Sequence, residues 1–587
     1  MVRKRIYFAS SIILIGLILL VVRLVQIQLL ETESFSSRNI NLIERSVEQR
    51  TQQLIIDEGR GEFLDRNGTP LTYTEKNVLI LFPFLEKMDW PIEKVANIIH
   101  IPKEIIQTKI QQANGPFIFG SKEPFSLSEE QMNQINKLEI QGVFSLKRKF
   151  PNTEIPAEQL IGITGENEEK FHERYPDKVK GATQKIGITG LQKEFDEWLI
   201  AEQEAKLIYH VDARGGPLFG VDVKYLAPAN PFYPLNIRTT IDRDIQTKLE
   251  EVVDTYNIQK GGALLLDIET SEVLANVSRP NVNNANPFSD HGTTNYMFKP
   301  LIPGSVFKTV VTAAAIESGV DEDRTFSCSE NIYGDQAERN LGNLDLKGSV
   351  AASCNRTFAD LSKEMVPENP NILEEYATKL GLIGDIAWTG DVYHYTDFKQ
   401  FTLEQQRIFR SEEEKKDLNY VAQTGIGQRE VRVTPLGVAN MMATIARGGK
   451  PYQVSTVSAI EYQNGKEMID FPKKSIEMEK TIAPYTAMKL QEYLREVVVG
   501  EQGTATYLQQ AAYKIAGKTG TAETGQYITN SNGTEVQLYN KWFAGYFPFD
   551  NPKYALVIVN MDVTEYEGGI YPIFKDAANA VYNLNQN

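Results

Sequence analysis

Ser305 and Lys308 stand three residues apart in Pro303-Gly304-Ser305-Val306-Phe307-Lys308, at the entrance to an apolar run that closes on Gly319. The Pro-Gly pair interrupts whatever precedes it, and the run behind it has helical length and a glycine suited to a C-cap. Almost no polar residue breaks that run on any face, the pattern of a helix buried inside a large domain. Ser305 then lies in the first turn, where free backbone N–H groups favour negative charge. Lys308 follows one turn later on the same face. A serine hydroxyl is a weak nucleophile until a base takes its proton, and a desolvated neutral lysine can be that base. By themselves the two residues read more readily as an ordinary N-cap and a solvated lysine.

Two further triplets change that balance. Lys518-Thr519-Gly520 is the one K-T-G in the chain, and Ser305–Lys308 is the one S-x-x-K. A chance K-T-G in a chain this long is on the order of one in ten. Its flanks read as a strand whose glycines permit close backbone approach. Between Ser305 and Lys518, S-x-N occurs at Ser329-Glu330-Asn331 and at Ser353-Cys354-Asn355. The second is the better candidate: it falls between the apolar Val350-Ala351-Ala352 and a helical pattern from Arg356, in a loop that can point into a cleft.

The elements that must position these residues belong to a chain of 587 residues, which calls for more than one domain. Hydrophobic residues at 42% and aromatics at 10% describe a folded protein. A net charge of −16 argues against nucleic acid as a main partner. Two cysteines, Cys328 and Cys354, are too few for a disulfide framework or a thiolate metal site. The five histidines lack ligand spacing, so neither a metal nor another cofactor is expected. No G-x-S-x-G nucleophile elbow is present.

Arg3, Lys4 and Arg5 precede an uncharged stretch from Ile6 to Val22, and apolar residues resume after Arg23 as far as Leu30. This reads as an uncleaved membrane anchor, because no small-x-small cleavage site follows it. The basic residues place the N-terminus in the cytoplasm and the rest of the chain outside. From Glu31 to about Asn236 there are turns and charged amphipathic helices, around Pro91–Gln112, Ser126–Leu138 and from Gly187, with no cluster of catalytic types. Gly59–Gly68 reads as a strand entering an Asn-Gly turn. At Leu235–Gln246 a strand passes into a helix and the composition becomes richer in apolar runs. Gly262–Asp267 and Glu272–Ser278 read as a β-hairpin, and with the buried Ser305 helix they imply an α/β domain with an antiparallel sheet beside helices. The expected divisions are 1–30, 31–235 and 236–587.

SVFK, SCN and KTGT, in that order, resemble the three active-site motifs of penicillin-binding proteins and serine β-lactamases. The N-terminal anchor, GRGEFLDRNG, GVFSLKRKFP and GITGLQKEFDEWL resemble the pedestal or "dimerisation" region of class B penicillin-binding proteins. RTTIDRDIQ and Gly425–Gln428 with Val433–Leu436 resemble that family's transpeptidase domain. Phe150 and Gln192 depart from the family's usual tyrosine and glutamate. The resemblance implies an elongated pedestal after one transmembrane helix, then a transpeptidase domain of α/β (α+β) class. It implies a peptidoglycan D,D-transpeptidase that cross-links stem peptides through an acyl-serine and is acylated by β-lactams. Ser305 would be the nucleophile, Lys308 its base and Ser353 a proton relay. Asn355, Lys518, Thr519, Gly520 and Thr521 would bind substrate, with Ser305 and Thr521 N–H groups as the oxyanion hole. The partners implied are stem peptides, β-lactams, the membrane and a glycan-polymerising glycosyltransferase, with room for a homodimer. A D,D-carboxypeptidase shares every motif; a β-lactam sensor or β-lactamase has no use for the pedestal, and a non-catalytic scaffold has no need of all three motifs. Cys328 and Cys354 either pair in the exported domain or Cys354 fills a core position behind the S-x-N loop.

Overall fold

The computed structural model describes residues 2–36, 40–49, 51–120, 125–176, 185–200, 204–211, 223–226, 230, 232–476, 481–529 and 532–586. A helix over Val2–Val25 continues as a π-helical turn over Gln26–Leu30. The helical span Arg3–Leu30 is long and apolar enough to cross a membrane, and its Ile, Leu and Val side chains are exposed instead of packed.

The chain forms two compact units, each assembled from separated segments. The smaller comprises residues up to Arg60, Tyr73–Pro151 and Ala201–Pro231. It holds two antiparallel three-stranded sheets, one of Thr51–Asp57, Ala205–His210 and Lys224–Leu226, the other of Phe117–Ile118, Tyr73–Leu81 and Val143–Pro151. The helices expected around Pro91–Gln112 and Ser126–Leu138 are Ile92–Ile99, Lys103–Gln111 and Glu129–Asn136, the last closed by a reciprocal Ser128–Gln131 capping box. Their apolar faces, with Val78–Phe82 and Tyr209, make this unit's core.

The larger unit takes Gly61–Thr72, Asn152–Ile200 and Phe232–Asn587. This differs from a continuous boundary at residue 235. Phe63, Leu71, Leu160, Leu191, Phe195 and Trp198 share one core with Leu235 and Ile237, and Phe63 pairs in parallel with Ile237. Composition along the chain carries no trace of that return. The run from Gly187 is two short helices, Gly190–Glu194 and Asp196–Leu199.

The sheet that carries the candidate residues has five antiparallel strands: β1 (Gly261–Asp267), β2 (Val273–Arg279), β3 (Ala516–Thr529), β4 (Glu535–Phe547) and β5 (Tyr554–Val563). Their spatial order is β2-β1-β5-β4-β3, which leaves β3 at an edge. Consecutive residues from Ala555 to Asn560 are all buried, so both faces of β5 are covered and its sequence is a continuous apolar run without alternation. Helices α1 (Arg243–Thr255), α5 (Pro435–Ala446) and α7 (Ile570–Leu584) supply the cover. Between them in sequence lie α2 (Lys308–Glu317), α3 (Leu346–Ala352) and α4 (Asn355–Glu368), and α6 (Pro484–Val499) packs on α3 and β3. The polar stretch Gly525–Asn540 is the tip of the β3–β4 hairpin; of it, residues 530–531 lie outside the described residues.

Candidate active site

Ser305 sits in a 3-10 turn, Gly304–Phe307, and regular α-helix begins only at Lys308. The expected first α-helical turn is thus the tighter form. Three residues per turn eclipse positions i and i+3, which stacks Lys308 above Ser305 more directly than an α-turn would. The turn is clamped from three sides. Leu301 and Val433 exchange backbone hydrogen bonds at 2.9 and 3.0 Å, and the Gly304 N–H donates to the Gly427 carbonyl at 3.0 Å. Gly304 has φ +55°, and a Cβ there would lie 2.4 Å from the Thr521 carbonyl oxygen on β3. Only glycine allows the serine turn and the edge strand to approach so closely. Helix α2 is buried from Lys308 to Ala315, which explains its apolar circumference. It ends in a Schellman motif, with Gly319 donating to Ile316 and Val320 to Ala315, both at 3.1 Å.

Lys308 is fully buried and reaches the S-x-N loop. Its Nζ lies 2.8 Å from the Ser353 carbonyl oxygen, 2.6 Å from Asn355 Oδ1 and 3.2 Å from Ser353 Oγ, over the Phe358 ring. Burial, then the charge of Lys518, then that of Arg339, hold this amine well below its ordinary range. Lys518, also fully buried, donates to Ser353 Oγ at 2.9 Å and to Thr519 Oγ1 at 3.3 Å. Burial brings its amine down to about 7. Ser353 Oγ therefore bridges the two lysines. Ser305 Oγ, half-buried, has no hydrogen bond among the described residues.

Ser353 holds φ 60°, ψ 43°, a left-handed conformation at the end of α3 that costs a non-glycine residue about 1 kcal/mol. Two neighbours maintain it. Asn355 opens α4 immediately afterwards, and Cys354 forms a disulfide with Cys328. Of the two sequence readings for the cysteines, pairing is the one realised. The S-x-N loop between two helices is where the spacing put it, whereas Ser329 and Asn331 bond within their own turn region, Ser329 Oγ donating to Asn340 Oδ1 and Asn331 Oδ1 accepting from the Tyr333 N–H. On β3, Gly520 faces the serine turn so closely that a Cβ would meet the Pro303 carbonyl oxygen at 2.6 Å, and Thr521 is exposed.

Three contributors escape the motif reading. Thr504 Oγ1 meets Thr519 Oγ1 at 3.1 Å, Gln428 Nε2 reaches the Thr521 carbonyl at 3.4 Å, and Arg339 adds its charge near Lys308. None stands at a spacing that marks it; only Gln428 belongs to a stretch quoted for its resemblance. Chemically, the site offers a free hydroxyl, a buried amine whose charged form is disfavoured, a bridging hydroxyl, a second amine and an unpaired strand edge. That set suits acyl transfer from an extended peptide with a terminal carboxylate.

Residues 261–579 match the penicillin binding protein transpeptidase domain, so the chain belongs to the penicillin-binding protein transpeptidase family. Residues 55–228 match the penicillin-binding protein dimerisation domain. Peptidoglycan D,D-transpeptidase FtsI of Escherichia coli strain K12 is 24% identical over 560 residues, covering 89% of this chain and 83% of its own. Peptidoglycan D,D-transpeptidase PbpA of Mycobacterium tuberculosis strain H37Rv is 25% identical over 376 residues, 55% of this chain and 67% of its own. A solved chain from a peptidoglycan synthase complex that coordinates polymerization and crosslinking shares the fold, with TM-score 0.62 and 22% identity over 99% of this chain and 98% of that one. With a dimerisation domain ahead of its transpeptidase domain, the protein is a class B penicillin-binding protein, a serine-type peptidoglycan transpeptidase.

Proposed function

We propose that Ser305 is the nucleophile, Lys308 its general base and Ser353 the proton relay of a D,D-transpeptidase acting on stem peptides that end in D-Ala-D-Ala. The observation that carries this reading is the set of partners around the buried Lys308 amine. A neutral amine has two N–H groups and one lone pair; the Ser353 carbonyl and Asn355 Oδ1 accept the two N–H groups, which leaves the lone pair for a hydroxyl proton. The Ser305 oxygen attacks the penultimate D-Ala carbonyl as its proton passes to Lys308, and the C–N bond to the terminal D-Ala breaks as a proton returns through Ser353. An amine of a second stem peptide then attacks the acyl-serine, forms the cross-link and releases Ser305 with its proton restored. Lys518, Thr519 and Thr521 hold the terminal carboxylate, Gly520 lets the strand approach, and Asn355 orients the substrate amide. The N–H groups of Ser305 and Thr521 stabilise the tetrahedral oxyanion, each on the order of 3–4 kcal/mol. The substrate backbone adds to the open edge of β3 as a further strand.

A β-lactam mimics the D-Ala-D-Ala end and forms the same ester. Penicillin treatment followed by peptide mapping is expected to place a long-lived adduct on Ser305, absent in Ser305→Ala; an adduct on another residue, or none on folded protein, refutes the assignment.

Residues 1–30 anchor the protein with Arg3, Lys4 and Arg5 in the cytoplasm, the rest of the smaller unit, drawn from within the stretch up to about 235, serves as a pedestal, and the larger unit faces the wall. Protease added to intact spheroplasts should digest the chain beyond about Leu30; a protected C-terminal domain contradicts this orientation. The partner that supplies glycan strands is a membrane glycosyltransferase, a reading supported by the synthase complex that shares this fold, and the dimerisation match leaves a homodimer as a further assembly.

A further inference from the structure

One amide in contact with the site has no part in the reaction scheme. Gln428 follows directly on Gly427, which accepts the Gly304 N–H at 3.0 Å and where a Cβ would lie 2.0 Å from the Gly304 carbonyl oxygen. The backbone of Gln428 is held as well: its N–H donates to the Gln423 carbonyl at 3.0 Å, and its carbonyl accepts from the Val431 N–H at 3.3 Å. From this mount against the serine turn, the partly exposed side chain crosses to β3 and donates through Nε2 to the Thr521 carbonyl at 3.4 Å. That separation is at the outer limit of a hydrogen bond. The Oε1 atom and the second N–H of the amide have no partner among the described residues.

The Thr521 carbonyl lies on the substrate's path. It faces both the Gln428 amide and Gly304, so it points off the free edge of β3. Two residues that stand opposite as a hydrogen-bonded antiparallel pair exchange both backbone bonds. With the scissile carbonyl on the Thr521 N–H, the N–H of the same penultimate D-Ala therefore meets the Thr521 carbonyl. The residue upstream of it then stands opposite Ala522, and cross-strand neighbours share a face. The face of Gly520 and Ala522 is the one on which the serine turn packs. A Cβ on Gly520 would meet the Pro303 carbonyl oxygen at 2.6 Å, and one on Gly304 would lie 3.2 Å from the Ala522 nitrogen. Gln428 is mounted on that turn, so its amide and the upstream side chain meet on one side of the strand edge. A stem peptide that can act as acceptor carries an amine, and a donor of the same kind carries it too, upstream of D-Ala-D-Ala. An amide oxygen without a partner is an acceptor for such an ammonium.

We propose that Gln428 is a specificity-determining residue whose Oε1 accepts a hydrogen bond from the side-chain ammonium of the donor residue immediately upstream of D-Ala-D-Ala. The inference rests on the Ser305 reading above and on pairing of the substrate with β3. Exchange of the long Thr521 contact for the substrate N–H frees the amide to turn toward that side chain.

The test compares two thioesters on the full chain, acetyl-L-lysyl-D-alanyl-thioglycolate and acetyl-L-norleucyl-D-alanyl-thioglycolate, which differ only in the ammonium. For the wild type, kcat/KM for thiol release is expected to favour the lysyl thioester by about tenfold. Gln428→Ala should bring the lysyl thioester down to the rate of the norleucyl one. Gln428→Glu, a carboxylate of nearly the same shape, should widen the preference beyond the wild-type value, which a merely structural role would not do. Equal rates for the two thioesters in the wild type overturn the inference, as does a loss in Gln428→Ala that falls equally on both. Penicillin labelling of the wild type separates the two failures. Labelling at Ser305 with equal thioester rates overturns the Gln428 assignment alone, whereas no labelling overturns the Ser305 reading beneath it.

Discussion

Two buried amines joined through one hydroxyl make a site whose protonation is divided between them. In the proposed roles Lys308 must be neutral to take a proton, whereas Lys518 must be charged to hold a carboxylate, yet burial lowers both. For Lys518 the folded chain releases a proton at about 7, against 10.5 when exposed. The unfolded chain thus holds more protons across that window, and this group makes stability rise with pH there; below about 7 its full desolvation penalty is present. A bound carboxylate favours the charged form and raises the amine again. The expected consequence is kinetic. Acylation kcat/KM, which reports the free enzyme, should decline above about pH 7 on the Lys518 limb and fall at low pH as Lys308 protonates. At saturating substrate the alkaline decline should move to higher pH. Stopped-flow acylation with a chromogenic β-lactam or thioester checks this; kcat/KM that climbs steadily to pH 9 would sink the division of roles.

At the scale of elements, the serine turn is held by glycine contacts more than by side chains. Gly304, Gly319 and Gly427 all have φ between +55° and +76°, so an alanine at any of them carries a backbone penalty of about 1 kcal/mol. Their surroundings differ. A Cβ on Gly319 meets nothing within 4 Å, one on Gly304 lies 2.4 Å from the Thr521 carbonyl oxygen, and one on Gly427 lies 2.0 Å from the Gly304 carbonyl oxygen. Gly319→Ala should lower the melting temperature by a few degrees and leave the acylation rate within about twofold. Gly304→Ala and Gly427→Ala should push the turn away from β3 and slow acylation by about 100-fold or more, since small misplacements of reacting groups are severe. Equal acylation rates in all three would show that the close approach of turn and strand has no catalytic consequence. The Cys328–Cys354 bridge works on the adjoining loop, closing a 26-residue separation that restricts the unfolded chain by about 3 kcal/mol on the loop-entropy account.

For the whole molecule, the proposed reading gives a positioning role to the apolar N-terminal helix and to the smaller unit, which carries no catalytic cluster among its described residues. A hydrolase needs one peptide and water; a cross-linker must bring two polymer-borne peptides together at a membrane, where tethering raises local concentration. The full chain in membranes with a glycan polymerase and lipid-linked precursor is therefore expected to yield dimeric muropeptides that disappear in Ser305→Ala. Release of D-alanine without dimers would make the protein a carboxypeptidase.

Ser305, Lys308, Ser353, Asn355 and Lys518 were legible because the motifs are local: three or four residues whose types and spacing are the chemistry. The apolar β5 run, the featureless α2 circumference and the N-terminal helix were legible for the same reason, since burial or a membrane acts on every residue of the segment. The tertiary structure alone decided what depends on distant partners. It brought Ser353 Oγ between two lysines separated by 210 positions in sequence, and paired Cys328 with Cys354. It returned Gly61–Thr72 and Asn152–Ile200 to the larger unit's core. Periodicity reports how much of a segment is buried, not against what; the proton affinity of a lysine depends on what surrounds it, and that is a property of packing.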